Sequence, residues 1–312
     1  MANITYILIE EHLREISRDE QFTIADGEER ITIKFDDSPE SFEKIEELIK
    51  SGALSEIFSV AVDKISFVSG EFEFNEDNIQ YYEKYYYQKS CRIQAILSKG
   101  GMSRNLSSND FRKTDFRGIN FTYADVSSCD FSFANLSNTN FQRANLDYAQ
   151  LCNADLRNAI LSDTSLDNAD FTNANCDSIE LRNAYLDSVN FLNTTLRNAD
   201  ISFSRGFNAD FSYAQLNLAS FKGSDLINTN FYSCDLSATD FCDSNLSNAS
   251  LGFCNLSKAN LNGANLSYAY IYSNNLTDIN LSLANVEKAR FRNNIGISES
   301  IKQDLILRGA IF

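Results

Sequence analysis

The sequence predicts a mainly β solenoid preceded by a small N-terminal α+β domain, and three features carry that prediction. A large apolar residue recurs every fifth position from Leu106 to Phe291 without an insertion. The bulkiest of these residues recur with a period of twenty. Proline is absent from the whole repeating stretch, the single proline of the 312 residues being Pro39.

The five-residue period spans 38 positions, and 36 of them are Leu, Phe, Ile or Val, the exceptions being Cys176 and Gly206. Two residues before each stands a small side chain: 31 of the 38 are Ala, Ser, Thr or Cys, and the remainder include Ile119, Ile179 and Val189. A step of five fits neither a 3.6-residue helix nor a two-residue strand. Self-similarity at a fixed short period marks a solenoid, in which each unit buries its apolar face against its neighbours.

Sorting the apolar positions by twenty gives four columns. The column 111, 131 and onward to 291 holds seven Phe in ten places, and the column 121 to 281 holds four in nine. Of the other two, 106 to 286 holds none and 116 to 276 only Phe116. Phe thus collects on two opposite walls of a four-sided turn. The missing prolines agree, because each turn bonds to the turns on either side and proline would delete a ladder donor. Trp is absent as well. Nine and a half turns at about 4.8 Å give a rod of about 45 Å, each fully buried Leu or Phe contributing about 1.5–3 kcal/mol before entropy.

The residues Phe131-Ser-Phe-Ala-Asn-Leu136 and their continuation through Asn153-Ala-Asp-Leu156 resemble the pentapeptide repeat family, whose motif is A(D/N)LXX. The resemblance covers about 190 residues of the sequence. It implies a right-handed quadrilateral parallel β-helix of about nine to ten coils, with the central and small residues inside and the other three outside.

The chain in order supplies the rest. Met1–Leu13 lacks a basic start followed by an apolar run, so no signal peptide is expected, and no segment approaches bilayer-spanning length. Residues 1–99 form the α+β domain, a recognition module or N-terminal cap. Ile4–Ile16 reads as a helix or as a strand leading into one. Gln21–Ile24 and Arg30–Phe35 read as a hairpin around Asp26-Gly27. Ser38-Pro39-Glu40 opens a helix running to Ser51-Gly52. Phe58–Phe74 supplies further strand, and Asn78–Leu97 a helix that Gly100-Gly101 ends, its last turns covering the first coil. The solenoid occupies 100–296. Ser298–Leu307 in the tail 297–312 reads as a capping helix with Ile301 and Leu305 on one face. Ala310 and Phe312 repeat the small-x-large spacing and return the chain to the core. The tail reads as an end cap, leaving a monomer, or as a homodimer contact, which family members that pair through their C-terminal ends suggest.

Little in the sequence points to catalysis. His12 is the single histidine, in a charged stretch, and neither a phosphate-cradling loop nor a dinucleotide fingerprint occurs. The seven cysteines include no CxxC pair. Cys129, Cys176, Cys234 and Cys254 fall at inward positions and act as small hydrophobes, whereas Cys152 and Cys242 face outward on different walls. Asp before the central residue, as at Asp110, Asp115, Asp155 and Asp210, follows from the repeat. The expectation is a protein without enzymatic activity, cofactor or metal, in a reducing cytoplasm.

The formal net charge is −16. It divides into −10 for residues 1–103 (21 acids, 11 bases), −7 for 104–291 (20 and 13) and +1 for the tail (2 and 3). The resemblance implies, as its best-known activity, mimicry of DNA by acidic rods that bind a type II topoisomerase such as DNA gyrase, inhibiting it or protecting it from quinolones. Here Arg117, Arg157 and Arg197 share a column beside Asp115 and Asp155, and Arg112 and Lys113 flank Asp110, so mixed signs cancel much of the field such a strip requires. The overall sign also argues against direct nucleic-acid binding.

Outward positions are dominated by Ser, Asn, Thr and Asp. Tyr213, Tyr232, Phe253, Tyr270 and Tyr272 interrupt this rule on the Phe-rich wall, with Phe133 and Leu192 further back. An aromatic cluster on a polar rod is a candidate partner-binding site, although Tyr on a β surface also packs against cross-strand neighbours. Gly206 leaves a core void unless Phe207 turns inward through a bulge, which would kink the rod. The expected function is a rigid protein-binding scaffold. Topoisomerase binding is the first alternative, and a translocated bacterial effector, suggested by the folded head before the rod, the second.

Overall fold

The computed structural model describes residues 30–33, 64–67, 93 and 95–312. The chain divides into two compact units, Met1–Arg92 and Ile93–Phe312. In the first, β1 (Arg30–Ile33) pairs in parallel with β2 (Lys64–Phe67), Arg30 opposite Lys64. Strand is thus found in both stretches where it was expected. The expected helix or strand of Ile4–Ile16, the hairpin arm Gln21–Ile24, the helix from Ser38 and most of the helix from Asn78 lie outside the described residues.

The second unit is a parallel β-helix with four pentapeptides per coil. Residue i bridges residue i + 20 along the rod, as in Asn135 to Asp155 to Asn175. All 38 central positions are buried. Most pentapeptides make the same bonds: Leu136 N–H donates to the Asp155 carbonyl one coil on at 2.7 Å, and Asp155 N–H returns to the Ala134 carbonyl at 3.0 Å. Within the turn, Ala154 N–H donates to the Leu151 carbonyl at 3.1 Å.

The outer positions are dictated by backbone geometry. The second residue after each central one has a positive φ, for example 58° at Asn138, 57° at Asn158 and 60° at Asn173. Asn tolerates this left-handed region better than most residues, which explains its abundance there. Most of the Asp and Asn residues that precede a central one fold their side chains over the turn. Asp130 Oδ1 accepts Ser132 N–H at 2.9 Å, and Asp210 Oδ1 accepts Ser212 N–H at 2.9 Å. The Asp-rich column therefore belongs to turn construction.

Inside, the Phe rings stack from coil to coil. Phe171, Phe191 and Phe211 follow one another at 4.8 Å, and Phe221 stacks on Phe241 at 5.0 Å. Rings of the two opposite walls meet edge to face, Phe211 on Phe221 at 5.4 Å. Both Phe columns read from the sequence are therefore present and touch across the interior.

Both ends of the rod are covered. Residues 95–99 are helical, and Gly100, at φ 72°, ends the helix by donating its N–H to the Ile96 carbonyl at 2.7 Å. Ile96 is fully buried in the solenoid core. At the other end, Ser298 caps α1 (Glu299–Leu307) by accepting Ile301 N–H, and Leu305 is buried. Beyond it the small-x-large signature does return: Ala310 is buried, Ile311 bridges Arg290, and Phe312 stacks on Phe291 at 5.2 Å.

Gly206 departs from expectation. Its N–H donates to the Asp225 carbonyl at 2.8 Å, and the bridges Tyr185 to Arg205 to Asp225 run through without a break. Phe207 stays outside under the Arg205 guanidinium, 5.4 Å from its ring centroid. No bulge or kink forms, because the inter-coil bonds need only the backbone and the surrounding Leu186 and Leu226 close over the missing side chain.

Candidate protein-binding face

The wall that carries Phe111 to Phe291 changes character in its last coils. Through Phe211 its corners are tight turns, with Ala214 N–H donating to the Phe211 carbonyl at 3.0 Å. From residue 250 this bond is replaced. Asn274, standing where the repeat has a small residue, is buried; its Oδ1 accepts Cys254 N–H at 2.7 Å and its Nδ2 donates to the Leu251 carbonyl at 2.8 Å. Asn294 repeats the arrangement one coil on, toward Asn274 N–H and the Ile271 carbonyl. The opened corner lets three residues per coil join the ladder. The parallel strands β3 (Ser250–Gly252), β4 (Tyr270–Tyr272) and β5 (Arg290–Arg292) result.

The aromatic side chains read from the sequence lie on this wall, and four of them touch. Tyr213 meets Tyr232 at 5.6 Å, Tyr232 meets Phe253 at 5.4 Å, and Phe253 meets Tyr272 at 5.5 Å, all edge to face. Tyr213 and Phe253 are each 53% exposed, and Tyr232 and Tyr272 are half-buried between them. Tyr270 stands apart from this ladder: it lies on β4 two residues before Tyr272 and carries the Arg290 guanidinium over its ring at 5.2 Å. A groove of about 480 Å³ opens beside Phe253, lined by Asn255, Asn275 and Ile295 among others.

Four exposed aromatic residues elsewhere are arranged differently. Tyr123, Phe203, Tyr185 and Tyr268 lie under Arg143, Arg182, Arg205 and Lys288 respectively, with the cation 5.0–5.7 Å from the ring centroid. Each of those rings is partly covered by a basic side chain. The ladder rings instead cover one another and leave a continuous apolar ridge.

Two features of this wall escaped the sequence reading. Gly252 shares the outward column of Tyr232 and Tyr272, and a Cβ there would come 2.2 Å from the Tyr272 ring. Arg290 and Arg292 are the register partners of Tyr270 and Tyr272. Both were visible in the twenty-residue columns, once the columns were read for what adjoins the aromatic residues.

Part of the acidic charge of the rod is ion-paired, as the interleaved signs implied. Arg117 bonds Asp115 at 2.7 Å, Arg157 bonds Asp155 at 2.6 Å, and Arg197 bonds Asp177 at 2.6 Å. The hydrogen bonds from Arg117 and Arg157 hold the Asp115 and Asp155 carboxyls below the usual carboxylate range. The six described cysteines carry free thiols, and Cys129, Cys176, Cys234 and Cys254 are buried. Among the described residues no group of His, Cys, Asp and Glu is placed to hold a metal ion, and no helix is long and apolar enough to cross a membrane.

A model of pentapeptide repeats matches eight copies in this chain, over residues 105–132, 134–173, 164–202, 207–243 and 244–285. The chain belongs to the pentapeptide repeat family. The interval between the third and fourth matched segments contains Gly206. Among solved pentapeptide repeat structures the chain is similar to HetL, involved in heterocyst differentiation regulation in the cyanobacterium Nostoc, at 25% identity over 64% of this chain and 94% of that one, with a TM-score of 0.37. It is similar to QnrB1, a plasmid-mediated fluoroquinolone resistance protein, at 17% identity over 66% and 93%, with a TM-score of 0.35. A pentapeptide repeat protein of the Arabidopsis thaliana thylakoid lumen matches at 24% identity over 36% and 74%, with a TM-score of 0.23. No curated protein sequence matches the chain.

Proposed function

We propose that this pentapeptide repeat rod is a non-enzymatic protein-binding scaffold whose partner docks on the wall built by Tyr213, Tyr232, Phe253, Tyr270 and Tyr272. The observation that carries this reading is the unbroken edge-to-face ladder of the first three and Tyr272. Rigid aromatic side chains already held by their neighbours lose little freedom on binding, which is what suits Tyr and Phe to the centre of interfaces. The mimicry of DNA that the family suggests requires a run of unopposed carboxylates. The ion pairs of Arg117, Arg157 and Arg197 support the scaffold reading over it.

The test is affinity capture from the native host with the full chain and with the double variant Tyr213→Ser, Phe253→Ser. A partner held by the parent and lost by the variant, at an unchanged melting temperature, supports the docking wall. A partner retained equally by both removes it. Inhibition of purified gyrase supercoiling at low stoichiometry would favour the topoisomerase reading instead.

A further inference from the structure

In a chain of net charge −16, Asp210 opens the aromatic part of the wall, and the wall beyond it, from Ser212 to Asn293, carries no acidic residue. Its outward positions are Ser, Asn, Gly, Tyr, Phe and, in β5, Arg290 and Arg292. Both arginines are exposed. Neither has a carboxylate partner among the described residues, whereas Arg112, Arg117, Arg143, Arg157, Arg182, Arg197 and Arg205 are all ion-paired. The two guanidinium groups adjoin the end of the aromatic ladder, as the register partners of Tyr270 and Tyr272.

We propose that this wall binds an acidic peptide segment of a partner protein, with apolar side chains of the segment against the Tyr213–Tyr272 ladder and its carboxylates on Arg290 and Arg292. The proposal rests on the reading of the wall as a protein-docking face and names the chemistry of what docks. Guanidinium groups pair with carboxylates through two parallel hydrogen bonds. The negative charge of the rest of the chain does not defeat this, since at physiological salt charges beyond about 8 Å are largely screened. Of the carboxylates that flank the wall, Asp210 accepts Asn230, Asp235 accepts Asn255, and Glu287 pairs with Lys288. A single-stranded nucleic acid would also use aromatic rings and arginine, but it needs a basic track along its backbone, and two arginines at one end of the ladder do not make one.

The experiment pans a phage-displayed random dodecapeptide library on three full-length proteins: the parent, Tyr213→Ser with Phe253→Ser, and Arg290→Glu with Arg292→Glu. Thermal melting verifies that each is folded. The parent is expected to enrich peptides in which Asp or Glu adjoins apolar residues. The most enriched peptide, measured by fluorescence anisotropy, should bind the charge-reversed protein at least tenfold more weakly. Its Lys-for-acid analogue should recover binding to that protein. Peptides without acidic enrichment, or binding indifferent to charge reversal but lost with Tyr213 and Phe253, overturn the acidic segment and leave the docking wall standing. No enrichment on the parent, or peptides that neither variant weakens, overturns both. Tighter binding of an oligo-dT strand than of any selected peptide, lost on charge reversal, replaces the peptide with a nucleic acid.

Discussion

The ring of Tyr272 lies directly over Gly252, close enough that a Cβ at that glycine would sit 2.2 Å from the tyrosine Cζ. The glycine makes the seat from which Tyr272 reaches Phe253 and closes the ladder at 5.5 Å. Gly252→Ala therefore acts on the wall and not on the core. Tyr272 is half-buried and swings outward, the near-UV circular dichroism of the aromatic residues falls, and stability changes by less than about 1 kcal/mol. A drop of several degrees in melting temperature would show that the ladder also holds the fold.

Asn274 tests the opened corner. Asn274→Ala removes the acceptor of Cys254 N–H and the donor to the Leu251 carbonyl, two backbone groups inside the protein. Orphaned buried groups cost about 1–3 kcal/mol, and a urea titration should register a loss of that order. An unchanged midpoint would mean that the corner re-forms the tight turn of the Phe211 coil.

Gly206 offers a gain. A Cβ built there meets Leu226 Cδ2 at 3.4 Å, Leu186 Cβ at 3.6 Å and Ala209 Cβ at 3.8 Å, all ordinary contacts. Gly206→Ala restricts the unfolded chain without strain in the folded one, and is expected to stabilise by about 0.4–1 kcal/mol. Differential scanning calorimetry would show a higher melting temperature; a lower one would mean that the backbone there tolerates only glycine.

Stacked carboxylates give a pH signature. Asp147, Asp167 and Asp187 stand one above another, each Oδ1 accepting the next backbone N–H at 3.0 Å. Burial, and then the charges of Asp187 and Asp147, push the Asp167 carboxyl above its usual value despite Arg205 and the hydrogen bond from Asp187 N–H. A raised acid favours folding below the unfolded value, and that contribution is lost as pH rises through the folded one. Asp167→Asn keeps the acceptor and drops the charge. Its melting temperature should exceed the parent's at neutral pH and converge with it below about pH 4. A difference that persists at low pH would place the effect outside ionisation.

The solenoid was legible because its backbone repeats one bonding pattern and each pattern position tolerates few side chains. The inward walls, the return of Ala310 and Phe312, and the outward wall of Tyr213 to Tyr272 all followed from counting in fives and twenties. The count could not see that four rings touch while Tyr270 turns to Arg290, since that depends on side-chain rotamers. Asn274 interrupts the small-residue column, and nothing in a periodicity distinguishes a misfit from a donor-acceptor pair that rebuilds a corner. Gly206 misled in the opposite direction: neighbouring Leu side chains close over a vacancy without moving the backbone.

The bridge from each residue to the one twenty places on sets a rule for how such a protein can lengthen or shorten. Removing or adding a whole coil leaves Tyr213 and Tyr272 facing the same way relative to the ends. Five residues inserted upstream would instead rotate the entire aromatic ridge by a quarter turn about the axis. The direction in which the aromatic ridge faces is thus a quantity that changes only in steps, and changes in chain length are a form of aiming.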